Sequence, residues 1–483
     1  MSIDKSLPAA PNYLTPVQFA LIILPFAFFF DTAVHFRGRI DLSVPTVIIF
    51  LTLLNGSVLV FSILAVFRYI AFRKKSMLNS CANQTAWNKR FLSYLPVLVV
   101  ISIFTVLALC QFDNIPRYDS GLYYDALITK TNSFSFSSLV TSFSLIDHPT
   151  QGISFFLASG EMLFPKQSVG VYGVTLILTI LALLCLYQIM GRIFHIQSSW
   201  IRAAGVAVFA FCPYFLGLFS YPTPDYYVTI FFVFLIWSFA ANLDYLAGFS
   251  SVLLVFSKET GILFAASFLL ATMFLRIQKS PGTSFFYKSK KYIFPKKLLI
   301  YGIAPVLFIL YYKFAGSFDF YASATHVSPL RWDSSSGHCF GLNPSYISVR
   351  LSQLLLYNFF WVISLMGFLT ALVYLGRYRK RLKKAVSDTG GQPDAAAGEL
   401  SDSSLFAGIL VSSTVYLIFT CLFITHLCPR YSVCFALPLS LISVSAVTYL
   451  IRSRIAAGII LSALAMLFLA QDLLQSGSAY CVR

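Results

Sequence analysis

Between residues 17 and 474 the chain returns repeatedly to apolar runs of about 17 to 25 residues, and about 20 suffice for a helix to cross the hydrocarbon core of a bilayer. The runs fall near 17–35, 44–70, 93–111, 168–191, 201–220, 226–243, 298–314, 348–375, 405–427, 431–451 and 455–474. The stretch 244–275 is interrupted by SKET at 257–260. Read as one span it is long; read as two it gives short helices of the kind found where polar backbone lines a protein cavity rather than lipid. Two is the reading adopted, for about 13 segments. Composition agrees: with 58% hydrophobic and 11% charged residues, the chain has too few charges to coat a water-facing surface. The expected fold class is all-α, a polytopic transmembrane helical bundle.

Basic residues set the expected orientation. With the N-terminus in the cytoplasm and the C-terminus outside, 24 of the 35 Lys and Arg lie on cytoplasmic segments, chiefly 68–90, 276–297 and 377–384. That bias follows the positive-inside rule, and a single span at 244–275 would put the basic loops on opposite sides. The net charge of +17 is thus mainly a topology signal, with some attraction to anionic membrane lipid, and no nucleic-acid partner is expected. Lys5, Pro8 and Pro11 precede the first run without a small-residue cleavage site, so that run reads as a retained helix rather than a signal peptide. AVSDTGGQPDAAAGELSDS (385–403) is small, polar and free of aromatics, and reads as a disordered cytoplasmic linker. The nine cysteines lie mostly within apolar runs and show no metal or disulfide spacing; Cys339, Cys428 and Cys481 are placed where a disulfide can form, with no pairing legible.

This layout collects the unusual polar residues on one face. The long outer loop 112–167 carries Asp113, Asp119, Asp125, Asp147, His148 and Glu161, and has room for amphipathic surface helices, one over 150–164. SYPTPDYY (220–227) adds Asp225, FSKETG (256–261) adds Lys258 and Glu259, and HLCPRYS (426–432) adds Arg430 and Tyr431. Each also has an ordinary reading. Asp119 suits a solvated loop, DHP at 147–149 suits a turn, and Asp225 after Pro224 suits a helix N-cap. Tyr123 and Tyr124 suit an interface belt, while Lys258 and Glu259 can satisfy one another. The ordinary reading is weakest for Lys258, Glu259 and Arg430, because an ionisable group beside an apolar run is costly and is usually paired or functional.

Such a set suits transfer of a sugar from a lipid-linked phosphate to an acceptor hydroxyl. A carboxylate takes the hydroxyl proton as the oxygen attacks the anomeric carbon. Cations stabilise the charge growing on the departing phosphate, arginine as a fork and lysine as a point charge. One base, Asp119, stands out, so an inverting single displacement is the simplest course. A divalent metal bridging Asp119, Asp147 and His148 is chemically feasible, although no ligand spacing is diagnostic.

RYDSGLYYDAL (117–127) resembles the acidic motif in the first long outer loop of the GT-C membrane glycosyltransferases, especially the branch holding the protein O-mannosyltransferases and the lipid A aminoarabinose transferase. Asp119 takes the place of the first acid, and Ser120 stands where a second acid is often found. DHPTQGISFFL (147–157), PTPDYYVTIFFVF (222–234), SKETGILF (257–264) and PRYSVCFALPL (429–439) are similar to later motifs, in order, over about 93–451. The resemblance implies a polyprenyl- or dolichyl-phosphate sugar donor, a glycan, lipid or protein acceptor, and a site facing away from the cytoplasm, in a bacterial inner membrane or an endoplasmic reticulum. It implies Asp119 as general base and Asp147 orienting the acceptor or the base, with Lys258 and Arg430 binding the donor phosphate. His148 would add a hydrogen bond to that phosphate, Glu259 would hold Lys258 or touch a sugar hydroxyl, Asp225 would contact substrate, and Tyr123 and Tyr431 would stack on the sugar or line the lipid groove. The expected organisation is 1–92 as an addition of two helices and a basic loop, 93–375 as the catalytic core, 376–404 as a linker and 405–483 as the C-terminal helices. Two rivals are a transporter or flippase of a lipid-linked sugar and a non-catalytic assembly subunit.

Overall fold

The computed structural model describes residues 84–112, 121, 124, 125, 127, 128, 151–194, 196, 198–279, 300, 302–310, 393–423, 429–451 and 453–474. Eleven α-helices and one 3-10 turn are delimited there. They are α1 (Gln84–Leu109), α2 (Gln151–Leu163), α3 (Ser168–Ile193), α4 (Ser199–Ala210), α5 (Pro213–Phe219), α6 (Pro224–Ala240), α7 (Asp244–Val255) and α8 (Gly261–Lys279). Then come α9 (Pro393–Phe423), the 3-10 turn Pro429–Phe435, α10 (Ala436–Leu450) and α11 (Arg454–Leu474). The expected spans at 17–35, 44–70 and 348–375 lie outside the described residues.

Among the described residues, Ser168–Ile193, Ser404–Leu422 and Tyr431–Thr448 are long and apolar enough to cross a membrane. Side chains such as Ile177, Val106 and Leu467 remain exposed, and a surface of this kind is stable against lipid rather than water. The chain is a helical membrane protein.

Two departures from the sequence reading, at 201–220 and 385–403, have local causes, while 244–275 is broken in two as expected. The expected span 201–220 is two helices, α4 and α5, bent by 62°. Pro213 at the start of α5 has no N–H to give and its ring blocks the preceding turn, so one helix cannot run through it. The stretch 244–275 is α7 and α8, of 12 and 19 residues. At 1.5 Å per residue α7 is only about 18 Å long, short of a bilayer core. The expected disordered linker 385–403 is helical from Pro393 onward, because Ala395–Ala397, Glu399 and Leu400 are strong helix formers and Pro393 opens the helix at a position that needs no N–H.

Polar pairs register the helices within the apolar interior. Tyr227 Oη lies 2.6 Å from Thr175 Oγ1, Tyr226 Oη 2.9 Å from Thr179 Oγ1, and Trp237 Nε1 donates to Gln188 Oε1 at 2.9 Å. Residue numbers rise together on both partners, so α3 and α6 run parallel. The opposite trend, Phe264 against Tyr416 and Thr272 against Gly408, makes α8 and α9 antiparallel. The starts of α3, α6 and α8, the ends of α5 and α7, and the 3-10 turn therefore meet at one end of the bundle.

Glycines permit the closest crossings. A Cβ on Gly160 would lie 2.3 Å from the Gly170 carbonyl oxygen, and one on Gly170 2.2 Å from that of Gly160, so α2 folds back against α3 backbone to backbone.

Candidate functional site

The break between α7 and α8 is where the site begins. Helix α7 stops at Val255, and the chain turns through Phe256–Thr260 before Gly261 opens α8. A Cβ on Gly261 would sit 2.1 Å from the Leu254 carbonyl oxygen, so this tight reversal requires glycine. A break of this kind is tolerated inside a membrane protein only if another segment satisfies the freed backbone. Helix α2 does so: Gly152 N–H donates to the Phe256 carbonyl at 2.7 Å, and a Cβ on Gly152 would lie 2.3 Å from the Leu253 carbonyl oxygen.

Lys258 projects from this break. Its Nζ donates to both carboxylate oxygens of Asp225 at 2.8 Å. The pair is nearly dry, with side chains 10% and 1% exposed. Asp225 is not the N-cap of α6; Thr223 holds that place, Pro224 follows, and Asp225 lies in the first helical turn, where the helix dipole favours a carboxylate. On its other side Lys258 Nζ lies 4.4 Å from the centre of the Tyr431 ring, a cation–π contact.

Tyr431 is fixed by the 3-10 turn and its neighbours. Tyr416 Oη of α9 donates to the Tyr431 carbonyl at 3.1 Å, and the Tyr416 ring packs 5.4 Å from Phe435. Thr229 Oγ1 donates to Cys434 Sγ at 3.7 Å, tying the turn to α6. Segments 225, 258 and 431, far apart in sequence, thus share one buried cluster. Two buried hydroxyls, Thr223 Oγ1 just before α6 and Thr260 Oγ1 in the break, have no hydrogen-bond partner among the described residues.

A second group lies where the outer-loop segment meets α2. Burial foremost, then the charges of Glu161 and Asp125, push the Tyr124 phenol up to about 12. Burial also raises the Glu161 carboxyl above the usual carboxylate range, opposed by the hydrogen bond from Lys166 N–H. Glu161 Oε2 and Tyr124 Oη are both buried with no partner among the described residues.

Among the sequence candidates, Asp225, Lys258 and Tyr431 are brought together, and Glu259 adjoins them, half-buried in the break. The backbone of Arg430 lies in the same 3-10 turn, one residue before Tyr431. Asp119, Tyr123, Asp147 and His148 lie outside the described residues, as do Cys339, Cys428 and Cys481. The three residues considered for a metal are among these, and no group of three or more His, Cys, Asp or Glu is found among the described residues. Sequence reasoning missed Tyr416, Cys434, Thr229 and the Thr223 and Thr260 hydroxyls. A tyrosine or cysteine inside an apolar run looks like any core residue, so no signal marked them.

No family profile and no curated protein sequence matches the chain. Solved structures do. The apo crystal structure of an oligosaccharyltransferase from Archaeoglobus fulgidus aligns with a TM-score of 0.51 at 12% identity, over 82% of this chain and 57% of that one. The archaeal oligosaccharyltransferase AglB from Archaeoglobus fulgidus, in complex with an inhibitory peptide and a dolichol-phosphate, aligns with a TM-score of 0.49 at 13% identity, over 80% of this chain and 56% of that one. The first of these alignments shows that the chain shares the fold of that oligosaccharyltransferase, and the chain spans just over half the length of these structures.

Proposed function

We propose that this protein is a GT-C-type glycosyltransferase that moves a sugar from a polyprenyl- or dolichyl-phosphate donor to an acceptor hydroxyl on the side away from the cytoplasm, by a single inverting displacement. The observation that carries the reading is the junction of Asp225, Lys258 and Tyr431 at one end of a bundle with this fold. A buried cation with its counter-ion and an aromatic face, flanked by unpartnered hydroxyls, suits a polar ligand whose tail stays in lipid. An oligosaccharyltransferase of like fold supports the chemistry by analogy.

In this reading Asp119 is the base, Asp147 orients the acceptor or the base, and His148 hydrogen-bonds the donor phosphate. Gly152 lies five positions after Asp147, a chain length that spans at most about 18 Å. Gly152 is itself bonded to the break that carries Lys258. Lys258 donates to both carboxylate oxygens of Asp225, which holds its ammonium in place for the leaving phosphate. Arg430 supplies the net positive charge. Glu259 and Tyr123 contact the sugar or line its groove. The protein acceptor, glycan acceptor and lipid acceptor are alternatives at the same base.

The test uses the full chain in proteoliposomes, with a labelled short-chain polyprenyl-phosphate sugar and a panel of hydroxyl acceptors. Label should appear in acceptor or water, with release of polyprenyl phosphate, and Asp119→Asn should abolish it. Turnover unchanged in Asp119→Asn removes that base. Label that crosses the bilayer on intact donor would identify a flippase instead.

A further inference from the structure

Along α9, Ser412, Ser413, Thr414 and Thr420 return their hydroxyls to carbonyls three or four residues back in the same helix. Tyr416 does something else. Its side chain is fully buried, and its Oη leaves the helix to donate to the Tyr431 carbonyl at 3.1 Å. A phenylalanine would fill nearly the same space, so packing alone does not call for a hydroxyl here.

The Tyr416 ring lies between two others. Phe264, in the first turn of α8, is 4.7 Å away, and Phe435, the last residue of the 3-10 turn, is 5.4 Å away. One side chain thus bridges the two segments that hold the cation–π partners: α8 opens three residues after Lys258, and the turn carries Tyr431. The spacing of those segments sets the 4.4 Å between Lys258 Nζ and the centre of the Tyr431 ring. Such a contact lapses beyond about 6 Å, so a slip of about 2 Å ends it. The other end of the turn is held from α6. There Cys434 Sγ lies 3.7 Å from Thr229 Oγ1 and 3.9 Å from the Asp225 carbonyl oxygen, to which Thr229 Oγ1 donates at 3.2 Å.

We infer that Tyr416 is a positioning residue of the Lys258 cluster: its hydroxyl fixes the 3-10 turn so that the Tyr431 ring stays over the ammonium, and the adjoining Arg430 is set with it. The consequence for the donor rests on the proposed function; the consequence for the Lys258–Tyr431 contact does not.

The test uses the full chain and Tyr416→Phe, which removes the hydroxyl and keeps the ring. Alone, it should raise the unfolding equilibrium constant in detergent–SDS micelles by no more than about tenfold, the worth of one hydrogen bond. Combined with Asp225→Asn, which makes the Tyr431 ring matter more to the ammonium, it should raise that constant about fivefold beyond the product of the two single effects. With Tyr431→Leu also present the excess should vanish, because no ring is left to place. Effects that multiply within about twofold, or an excess that survives Tyr431→Leu, would overturn the inference. Turnover reads the other consequence: Tyr416→Phe should raise the KM for labelled polyprenyl-phosphate sugar about fivefold with kcat within about twofold, whereas a hydroxyl that only stabilises the fold would leave KM alone. A wild-type KM in Tyr416→Phe would overturn the role in donor binding. A wild type that turns over no donor defeats the proposed function, and the unfolding comparison then decides for Tyr416. If Asp225→Asn fails to fold, the KM of Tyr416→Phe decides.

Discussion

Breaking the Asp225–Lys258 pair from either side should cost different amounts, and the structure sets the order. At 2.8 Å the two charges attract by about 6 kcal/mol at an effective dielectric of about 20, and the cost of drying both ions offsets much of that. Lys258→Met takes the ammonium from the Asp225 carboxylate at 1% exposure, a loss expected at about 3 to 5 kcal/mol. Asp225→Asn leaves a cation that still has the Tyr431 ring, worth about 2 kcal/mol when desolvated, so its loss falls to about 2 to 3 kcal/mol. The double variant carries no charge from this pair and should cost about as much as the milder single change, giving a coupling of about 3 to 5 kcal/mol. Unfolding equilibria in mixed detergent–SDS micelles, followed by helical circular dichroism, measure all four proteins. Adding Tyr431→Leu should make Asp225→Asn as damaging as Lys258→Met. Single losses that simply add, within about 0.5 kcal/mol, or a Lys258→Met that is the milder change, would refute the reasoning.

Two further outcomes follow from the contacts that place α2. Gly152→Ala puts a methyl 2.3 Å from the Leu253 carbonyl oxygen and should cost about 1 to 3 kcal/mol with loss of sugar transfer, since α2 must leave the break; a variant with wild-type melting and turnover would show that the contact is not needed. Glu161→Gln should gain stability over the wild type as pH rises. Burial holds the folded carboxyl above its ordinary value of 4.5, so the proton-linked contribution of Glu161 is full below that pH and is lost as pH climbs through the folded value. Melting midpoints of the two proteins at pH 4 and pH 7.5 compare directly, and an unchanged difference would count against the buried carboxyl.

What could be read in advance was the class of residue; partner choice could not. Lys258, Glu259 and Arg430 stood out because ionisable groups interrupt apolar runs only at a cost, and that cost is visible in one dimension. The natural partner for Lys258 in sequence was Glu259, yet the hydrogen-bonded carboxylate shown is that of Asp225, 33 residues away. Which helix end faces which depends on packing, here on glycines 152 and 261 and on the parallel run of α3 and α6. The bend at Pro213 was written in the sequence, but averaging hydropathy over 201–220 hid it. Likewise the small polar composition of 385–403 suggested disorder, whereas the Ala, Glu and Leu of 395–400 favour the helix that extends α9.

The proposed function divides labour between the two cations of the site. Lys258 arrives already neutralised by Asp225, so the pair as a whole attracts an anion weakly. It anchors instead the α7–α8 break and, through the Tyr431 ring, the 3-10 turn that carries Arg430. In the proposed function the donor, a phosphodiester with a single negative charge, depends on Arg430 for net attraction and on Lys258 for placement. Arg430→Gln should raise the KM for labelled donor about tenfold or more with little change in unfolding midpoint, and the remaining donor affinity should lose most of its dependence on salt. Lys258→Met should lower stability and kcat together, with the salt dependence retained. Donor turnover assayed across ionic strengths separates the two. If Arg430→Gln matches the wild type in KM and salt response while Lys258→Met abolishes both, the lysine is the phosphate's own counter-charge and must exchange Asp225 for the donor during binding.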